Sequence, residues 1–138
     1  TNIIVDYLQT RVSQQVNFYF KAPQHPVFVE INPALHSWTI ENLVKNAIDA
    51  MKGKGSLNIV ISELEDMVKI SISDTGKGIP KNQFSKVFEP GFTTKKRGWG
   101  LGLSLTKRIV QEYHKGKIKV AHSEIGKGTT MQISYKTT

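Results

Sequence analysis

The chain has 138 residues, of which 38% are hydrophobic and 22% charged, a composition typical of one soluble globular domain. It contains no cysteine, which excludes disulfides and cysteine-ligated metals, and it has no apolar run long enough to span a bilayer. The net charge of +8 favours an acidic ligand or partner, either the phosphates of a nucleotide or a nucleic acid.

The N-terminal part of the chain predicts a helix over 2–14, two strands and a second, longer helix. The strands are predicted at Val16–Lys21 and Val27–Ile31, where β-favouring residues flank a proline-containing turn. Asn32 and Pro33 are typical of a helix start, with Asn as the N-cap and Pro at the first helical position. Apolar residues at helical spacing continue to Met51, and Gly53-Lys54-Gly55 ends the helix.

The rest of the chain predicts two hairpins on either side of a long irregular segment and a helix. The predicted elements are strands Leu57–Leu64 and Met67–Asp74, a short helix around Lys81–Lys86, a helix Leu101–His114, and strands Lys117–His122 and Thr129–Tyr135. Strands in hairpin pairs do not suit a doubly wound fold. The order predicts an α+β fold, a two-layer α/β sandwich with three main helices on one face of a mixed sheet.

Four polar or glycine-rich motifs follow one another between residues 41 and 103: ENLVKNAIDA (41–50), DTGKGIP (74–80), FSKVFEPGFTTK (84–95) and GWGLGL (98–103). Asn42 and Asn46 are four residues apart and share one helix face, where their amide oxygens could face Mg²⁺ and phosphate. Asp74 ends a strand, where its carboxylate can accept a hydrogen bond from an adenine amino group. The glycines let the backbone approach a ligand closely, and N–H groups at a helix start bind phosphate.

In this order and spacing, the motifs resemble the catalytic ATP-binding domain of sensor histidine kinases, which shares its fold with gyrase B, Hsp90 and MutL. The resemblance covers 1–138 and implies an ATP lid, with ATP and Mg²⁺ as ligands. It assigns Mg²⁺ to Asn46, the phosphates to Asn42 and the adenine to Asp74 and Thr129. Asn42 and Lys95 are the expected catalytic residues. The residues implied in nucleotide binding are Asn42, Lys45, Asn46, Asp49, Asp74, Gly76, Gly78, Ile79, Phe88, Thr93, Thr94, Lys95, Gly98, Gly100, Leu101, Gly102, Leu103 and Thr129.

The residue at position 42 separates two kinds of chemistry within this superfamily. Gyrase-like ATPases have a Glu general base there, whereas the amide of Asn42 cannot take a proton. Glu41 is adjacent but points about 100° away around the helix. The sequence therefore favours transfer of the phosphate to another acceptor over hydrolysis.

The resemblance also implies that the chain is a cytoplasmic domain and a fragment of a longer kinase, and it leaves open whether that parent protein is anchored in a membrane. It would donate the γ-phosphate to a histidine on a separate dimerisation domain, and the parent protein would signal to a response regulator. None of the four histidines of this chain lies in the acidic helical context of an acceptor, so the chain alone is not expected to phosphorylate itself. Contact of this domain itself with a membrane is not expected, and neither is contact with nucleic acid. Two alternatives stay open: a stand-alone serine kinase or anti-sigma switch protein of the same fold, and a basic nucleic-acid-binding module.

Overall fold

The computed structural model describes residues 16–23, 32–52, 54–89 and 102–137. The predicted helix over 2–14 and the predicted strand Val27–Ile31 lie outside these residues. The described elements, in chain order, are β1 (Val16–Lys21), α1 (Pro33–Ala50), β2 (Gly55–Leu64), β3 (Met67–Asp74), 3₁₀ turns at Lys81–Gln83 and Lys86–Phe88, α2 (Gly102–Arg108), a π-helical turn (Ile109–Tyr113), β4 (Lys117–Glu124) and β5 (Gly128–Lys136).

The described strands form one mixed sheet in the order β1-β2-β3-β5-β4. β1 and β2 run parallel, because the chain crosses over through α1 between them. The other neighbours are antiparallel, and β2–β3 and β4–β5 are the two hairpins that the sequence predicts. The hairpins bring the C-terminal end of β3 next to the N-terminal end of β5, where Ser73 pairs with Thr130.

The core lies on one face of the sheet, as the predicted sandwich requires. Ile59 of β2 pairs with Ile72 of β3, and Ile72 pairs with Met131 of β5, so one row of apolar side chains crosses the sheet. The helices cover this row with buried residues that belong to the same core cluster: Ile40, Leu43, Val44, Ala47 and Val110. The opposite face of the same strands carries polar side chains such as Ser71 and Gln132.

α1 begins where the sequence predicts. The side chain of Asn32 accepts a hydrogen bond of 3.1 Å from the N–H of Leu35, and Pro33 is the first helical residue. The helix ends at Ala50, and Lys52 then adopts a left-handed φ of 57°. The buried stripe includes the predicted Leu43, Ala47 and Met51, together with Ile40 and Val44.

Several predicted elements differ in detail from the structure, and β2 begins at Gly55, two residues before its predicted start. The predicted helix at Lys81–Lys86 consists of two separate 3₁₀ turns. The predicted helix to His114 is α-helical only to Arg108 and continues as a π-helical turn, in which the N–H of His114 donates 3.2 Å to the carbonyl of Ile109, five residues earlier. β4 runs to Glu124, two residues beyond the predicted end, and contains a register shift between Val120 and His122.

Candidate functional site

Asp74 is the last residue of β3, and its carboxylate is held by two backbone groups. Oδ1 accepts 2.9 Å from the N–H of Gly76 and 3.3 Å from the N–H of Thr129 at the start of β5. Burial raises the pKa of Asp74, and these two hydrogen bonds oppose the rise only in part. A desolvated, oriented carboxylate of this kind can accept a hydrogen bond from a donor on a bound base.

The glycine loop after Asp74 packs directly against the end of α1. The N–H of Lys77 donates 3.1 Å to the carbonyl of Ala50. A Cβ added to Gly76 would lie 2.6 Å from the backbone carbon and oxygen of Ala50, so only glycine fits there. Gly78 has a φ of +80° and faces the carbonyl of Glu124. The loop is therefore clamped between α1 and the β4–β5 turn.

A second group of hydrogen bonds ties this loop to β4 and β5. The N–H of Ile79 donates 2.7 Å to Oγ of Ser123, and that hydroxyl lies 2.7 Å from Oγ1 of Thr129. The N–H of Gly126 donates 2.9 Å to the carbonyl of Lys77. The structure thus brings together predicted site residues from two distant segments, at positions 74–79 and 129.

The predicted polar residues of α1 lie on one side of the helix. At about 100° per residue, Asn42, Lys45, Asn46 and Asp49 fall within an arc of about 100°. Nδ2 of Asn42 donates 2.8 Å to Oγ1 of Thr106 on α2, so its carbonyl oxygen Oδ1 is the atom that can face a cation or a water. Asn42, Asn46 and Ala50 are spaced by four residues, so one stripe leads from α2 to the glycine loop.

Phe84 and Phe88 anchor the segment that leads toward the predicted lid. Phe88 is buried in the core cluster, and Phe84 packs against that cluster. The ammonium of Lys107 lies 5.5 Å from the centre of the Phe88 ring, which joins this segment to α2. Leu103 near the start of α2 also packs against the core. These contacts give both phenylalanines a packing role, and the predicted role of Phe88 in nucleotide binding stays a prediction.

Several predicted site residues lie outside the described part of the chain, namely Thr93, Thr94, Lys95, Gly98, Gly100 and Leu101. Gly102 is described as the first residue of α2. Sequence reasoning missed Ser123 and Thr106, each of which contacts a predicted site residue. The only hint of Ser123 in the sequence is its position six residues before Thr129. The predicted strand ends at His122, so Ser123 was not expected to pair with Thr129.

Comparison with known proteins agrees with this geometry. Residues 34–138 match the family described as histidine kinase-, DNA gyrase B- and HSP90-like ATPase. The chain belongs to this family. The match shows that the chain is an ATP-binding ATPase domain.

Among curated members of this family, sporulation kinase A of Bacillus subtilis is 43% identical over 95 residues, which are 68% of this chain and 15% of that protein. Sensor histidine kinase ZraS of Escherichia coli K12 is 38% identical over 121 residues, 88% of this chain and 26% of ZraS. The chain therefore spans about a quarter or less of these two relatives.

A solved structure of the catalytic domain of histidine kinase ThkA has a TM-score of 0.85 and 27% identity, over 98% of this chain and 88% of that domain. ThkA in complex with the response regulator protein TrrA also matches, with a TM-score of 0.84, 26% identity, and coverage of 99% of this chain and 39% of that one. The fold of this chain is thus that of a histidine kinase catalytic domain.

No helix in the described part of the chain has both the length and the apolar character needed to cross a membrane. Within the same ranges, no group of three or more His, Cys, Asp and Glu side chains is placed to hold a metal ion.

Proposed function

We propose that this domain binds Mg-ATP and donates its γ-phosphate to a histidine on the dimerisation domain of its parent protein, in two-component signal transduction. The observation that carries the proposal is the partly buried carboxylate of Asp74, oriented by the N–H groups of Gly76 and Thr129. The amino group of adenine is a matched donor for this acceptor, whereas guanine presents a carbonyl at the corresponding position.

The proposed magnesium ion fits the donors on α1. Mg²⁺ takes few protein ligands and keeps phosphate oxygens and waters in its other positions. Asn46 would hold the ion, and Asn42, whose amide nitrogen bonds to Thr106, would turn its oxygen toward the phosphates. The bound ion would offset negative charge on the phosphates. The protein's own part is to fix the nucleotide between α1 and the glycine loop.

Transfer is favoured over hydrolysis by the residue at position 42. The amide of Asn42 cannot accept a proton from water, and its nitrogen already donates to Thr106. Positioning and charge stabilisation would then provide most of the catalysis, with Lys95 as an expected donor to the phosphates. An acceptor histidine must come from outside this domain.

The relatives support the signalling part of the proposal. ZraS is named as a sensor histidine kinase, and the ThkA structure contains a response regulator. By analogy, the parent of this chain would act on its own dimerisation domain and on a response regulator in the cytoplasm. Membership of the ATPase family favours this over a nucleic-acid module, and the sensor kinases favour it over a stand-alone switch protein.

Calorimetric titration with nucleotides tests the binding site. We expect Mg-ATP and ADP to bind and GTP to bind far more weakly. Asp74→Ala should weaken ATP binding by about 1–3 kcal/mol, because a charged acceptor is lost. Asp66→Ala, in the exposed β2–β3 turn, is the control and should bind like the wild type. Equal affinity for ATP and GTP, or an unaffected Asp74→Ala variant, would overturn the assignment.

Phosphate transfer in trans tests the reaction. The isolated chain should bind ATP yet hydrolyse it negligibly and incorporate no acid-labile phosphate. Addition of the parent's dimerisation domain should give phosphorylation of its histidine, and Asn46→Ala should abolish this transfer. Rapid hydrolysis by the chain alone would instead indicate a base and make the gyrase-like ATPases the better functional relatives.

A further inference from the structure

Ser123 is the point at which the glycine loop, β4 and β5 meet through hydrogen bonds. Its hydroxyl accepts 2.7 Å from the N–H of Ile79 and donates 3.1 Å to the carbonyl of Gly128. The same oxygen lies 2.7 Å from Oγ1 of Thr129. The N–H of Thr129 in turn donates to the carboxylate of Asp74, so Ser123 is one residue removed from the proposed adenine contact.

A bulge in β4 gives Ser123 this position. Val120 pairs with Met131 and faces the helices, but His122 pairs with Thr130, so the register shifts by one residue between them. Without the extra residue, strand alternation would turn Ser123 to the opposite face of the sheet. With it, Ser123 pairs with Thr129. Bulges next to functional sites often redirect a side chain in this way.

Only one direction of the bond between the two hydroxyls lets Ser123 make all three of its hydrogen bonds. A serine hydroxyl has one hydrogen and two lone pairs. The N–H of Ile79 occupies one lone pair, and the carbonyl of Gly128 can only accept, so a hydrogen bond to Gly128 uses the one hydrogen of Ser123. All three contacts of Ser123 are hydrogen bonds only if Thr129 supplies the hydrogen in the 2.7 Å contact, and we adopt this arrangement. In this arrangement Oγ1 of Thr129 has no hydrogen left to donate, so it can only accept a hydrogen bond from a ligand.

We propose that Ser123 is a positioning residue that holds the Thr129 hydroxyl as an acceptor beside Asp74, and thereby helps the site select a 6-amino purine over a 6-oxo purine. This inference rests on the proposed ATP site. Two neighbouring acceptors suit an amino group, which only donates, and disfavour a carbonyl, which only accepts. If the serine hydroxyl is removed, Thr129 can rotate and donate, and the penalty against a 6-oxo base is reduced.

The ratio of the affinities for ATP and inosine triphosphate tests this role, because these nucleotides differ at the 6-position of the base. Calorimetry on the wild type should show a clear preference for ATP. In Ser123→Ala the ratio should fall about tenfold, the effect of one hydrogen bond. Ser123→Thr keeps a hydroxyl and should restore the ratio. If Ser123 had a purely structural role, its removal would lower the affinities for both nucleotides by the same factor and leave their ratio unchanged.

Ser73→Ala is the matched control. Oγ of Ser73 lies 2.8 Å from Oγ1 of Thr130, so this variant removes the same kind of hydroxyl pair, one residue away on the other face of the sheet. Its nucleotide ratio should equal that of the wild type, and a similar fall would overturn the inference. A wild-type ratio retained in Ser123→Ala would also overturn it, while leaving the proposed ATP site intact.

Two further measurements separate the possible failures. A wild type that binds ATP and inosine triphosphate equally would reject the proposed adenine contact itself, and the role of Ser123 with it. Circular dichroism shows whether Ser123→Ala folds. If it does not, the test uses Thr129→Val instead. This variant removes the Thr129 hydroxyl, which Ser123 is proposed to orient. In Thr129→Val the ratio of the affinities for ATP and inosine triphosphate should also fall about tenfold. An unchanged ratio would overturn the inference.

Discussion

Asn42 and Thr106 join the two described helices through a hydrogen bond of 2.8 Å, from Nδ2 of the amide to Oγ1 of the threonine. Thr106 is fully buried and Asn42 is half-buried, so the bond is partly shielded from solvent. The orientation of an amide that faces the proposed phosphate site is therefore set by a residue of α2. Movement of α2 relative to α1 would alter this side of the site.

Thr106→Val should lower both stability and nucleotide affinity. The variant keeps the shape of the side chain but removes the partner of Asn42, which should cost about 1–2 kcal/mol in the free energy of unfolding. Thr39→Val is the control, because Thr39 is equally buried but donates 2.9 Å to Leu35 within α1. Urea unfolding and ATP titration of both variants check this. An equal loss of affinity in both would contradict a specific role for the interhelical bond.

Asp74→Asn should stabilise the free domain at neutral pH while weakening ATP binding. Burial raises the pKa of Asp74 above its ordinary 3.8, so its contribution to stability is greatest below pH 3.8 and is lost as pH rises through the raised value. The amide carries no charge and avoids this loss. Chemical denaturation at a series of pH values should show that Asp74→Asn has a higher free energy of unfolding than the wild type at neutral pH. This difference should vanish in acid. Ser73→Ala, without a titrating group, should show no such dependence on pH.

Gly76→Ala should displace the glycine loop from α1. The added Cβ would lie 2.6 Å from the backbone of Ala50, and relief of this clash should cost about 1–3 kcal/mol of stability and weaken ATP binding. Gly126→Ala is the control. Its added Cβ would have no atom within 4 Å, so the variant tests only the cost of placing alanine at a φ of +80°. Calorimetry should show a larger loss of affinity for Gly76→Ala. Indistinguishable affinities would mean that close packing on α1 is not needed for binding.

His36 should make the domain sensitive to mild acid. Burial lowers its pKa from 6.5 to about 4, so its contribution to stability is complete above pH 6.5 and declines as the pH falls toward 4. His36→Phe, beside the ring of Tyr135, should flatten this part of the stability curve. Thermal unfolding between pH 4 and pH 8 would measure how stability changes with pH in the wild type and in His36→Phe. The same slope in the variant would assign the effect to other groups.

Much of the fold follows from local patterns. Asn32-Pro33 specifies a helix start through side-chain chemistry that acts within four residues. The alternation of Val68, Ile70 and Ile72 specifies which face of β3 is buried. Both hairpins follow from turn residues between β-favouring runs. In these cases, tertiary structure reinforces what neighbouring residues already favour.

The site was predictable only in part. The resemblance supplied Asp74 and Thr129, and the structure places them in contact. The residues that orient the site were not predicted, because their contacts depend on tertiary register. Ser123 reaches Thr129 only through a bulge, and Thr106 reaches Asn42 only when α1 and α2 are packed. The spacing of residues along the chain carries no information about either contact.

The π-helical turn at Ile109–Tyr113 gives this part of the chain one residue more than a continuous α-helix would need. Removal of a single residue there would restore regular helical spacing, and the residues on either side of the turn would keep their present faces, because the π-helical turn absorbs the extra residue. Val110 would stay buried and Thr106 would stay in contact with Asn42. This turn is therefore a place where homologous sequences can differ in length: a one-residue gap between 109 and 113 should occur without a change at position 42 or 106.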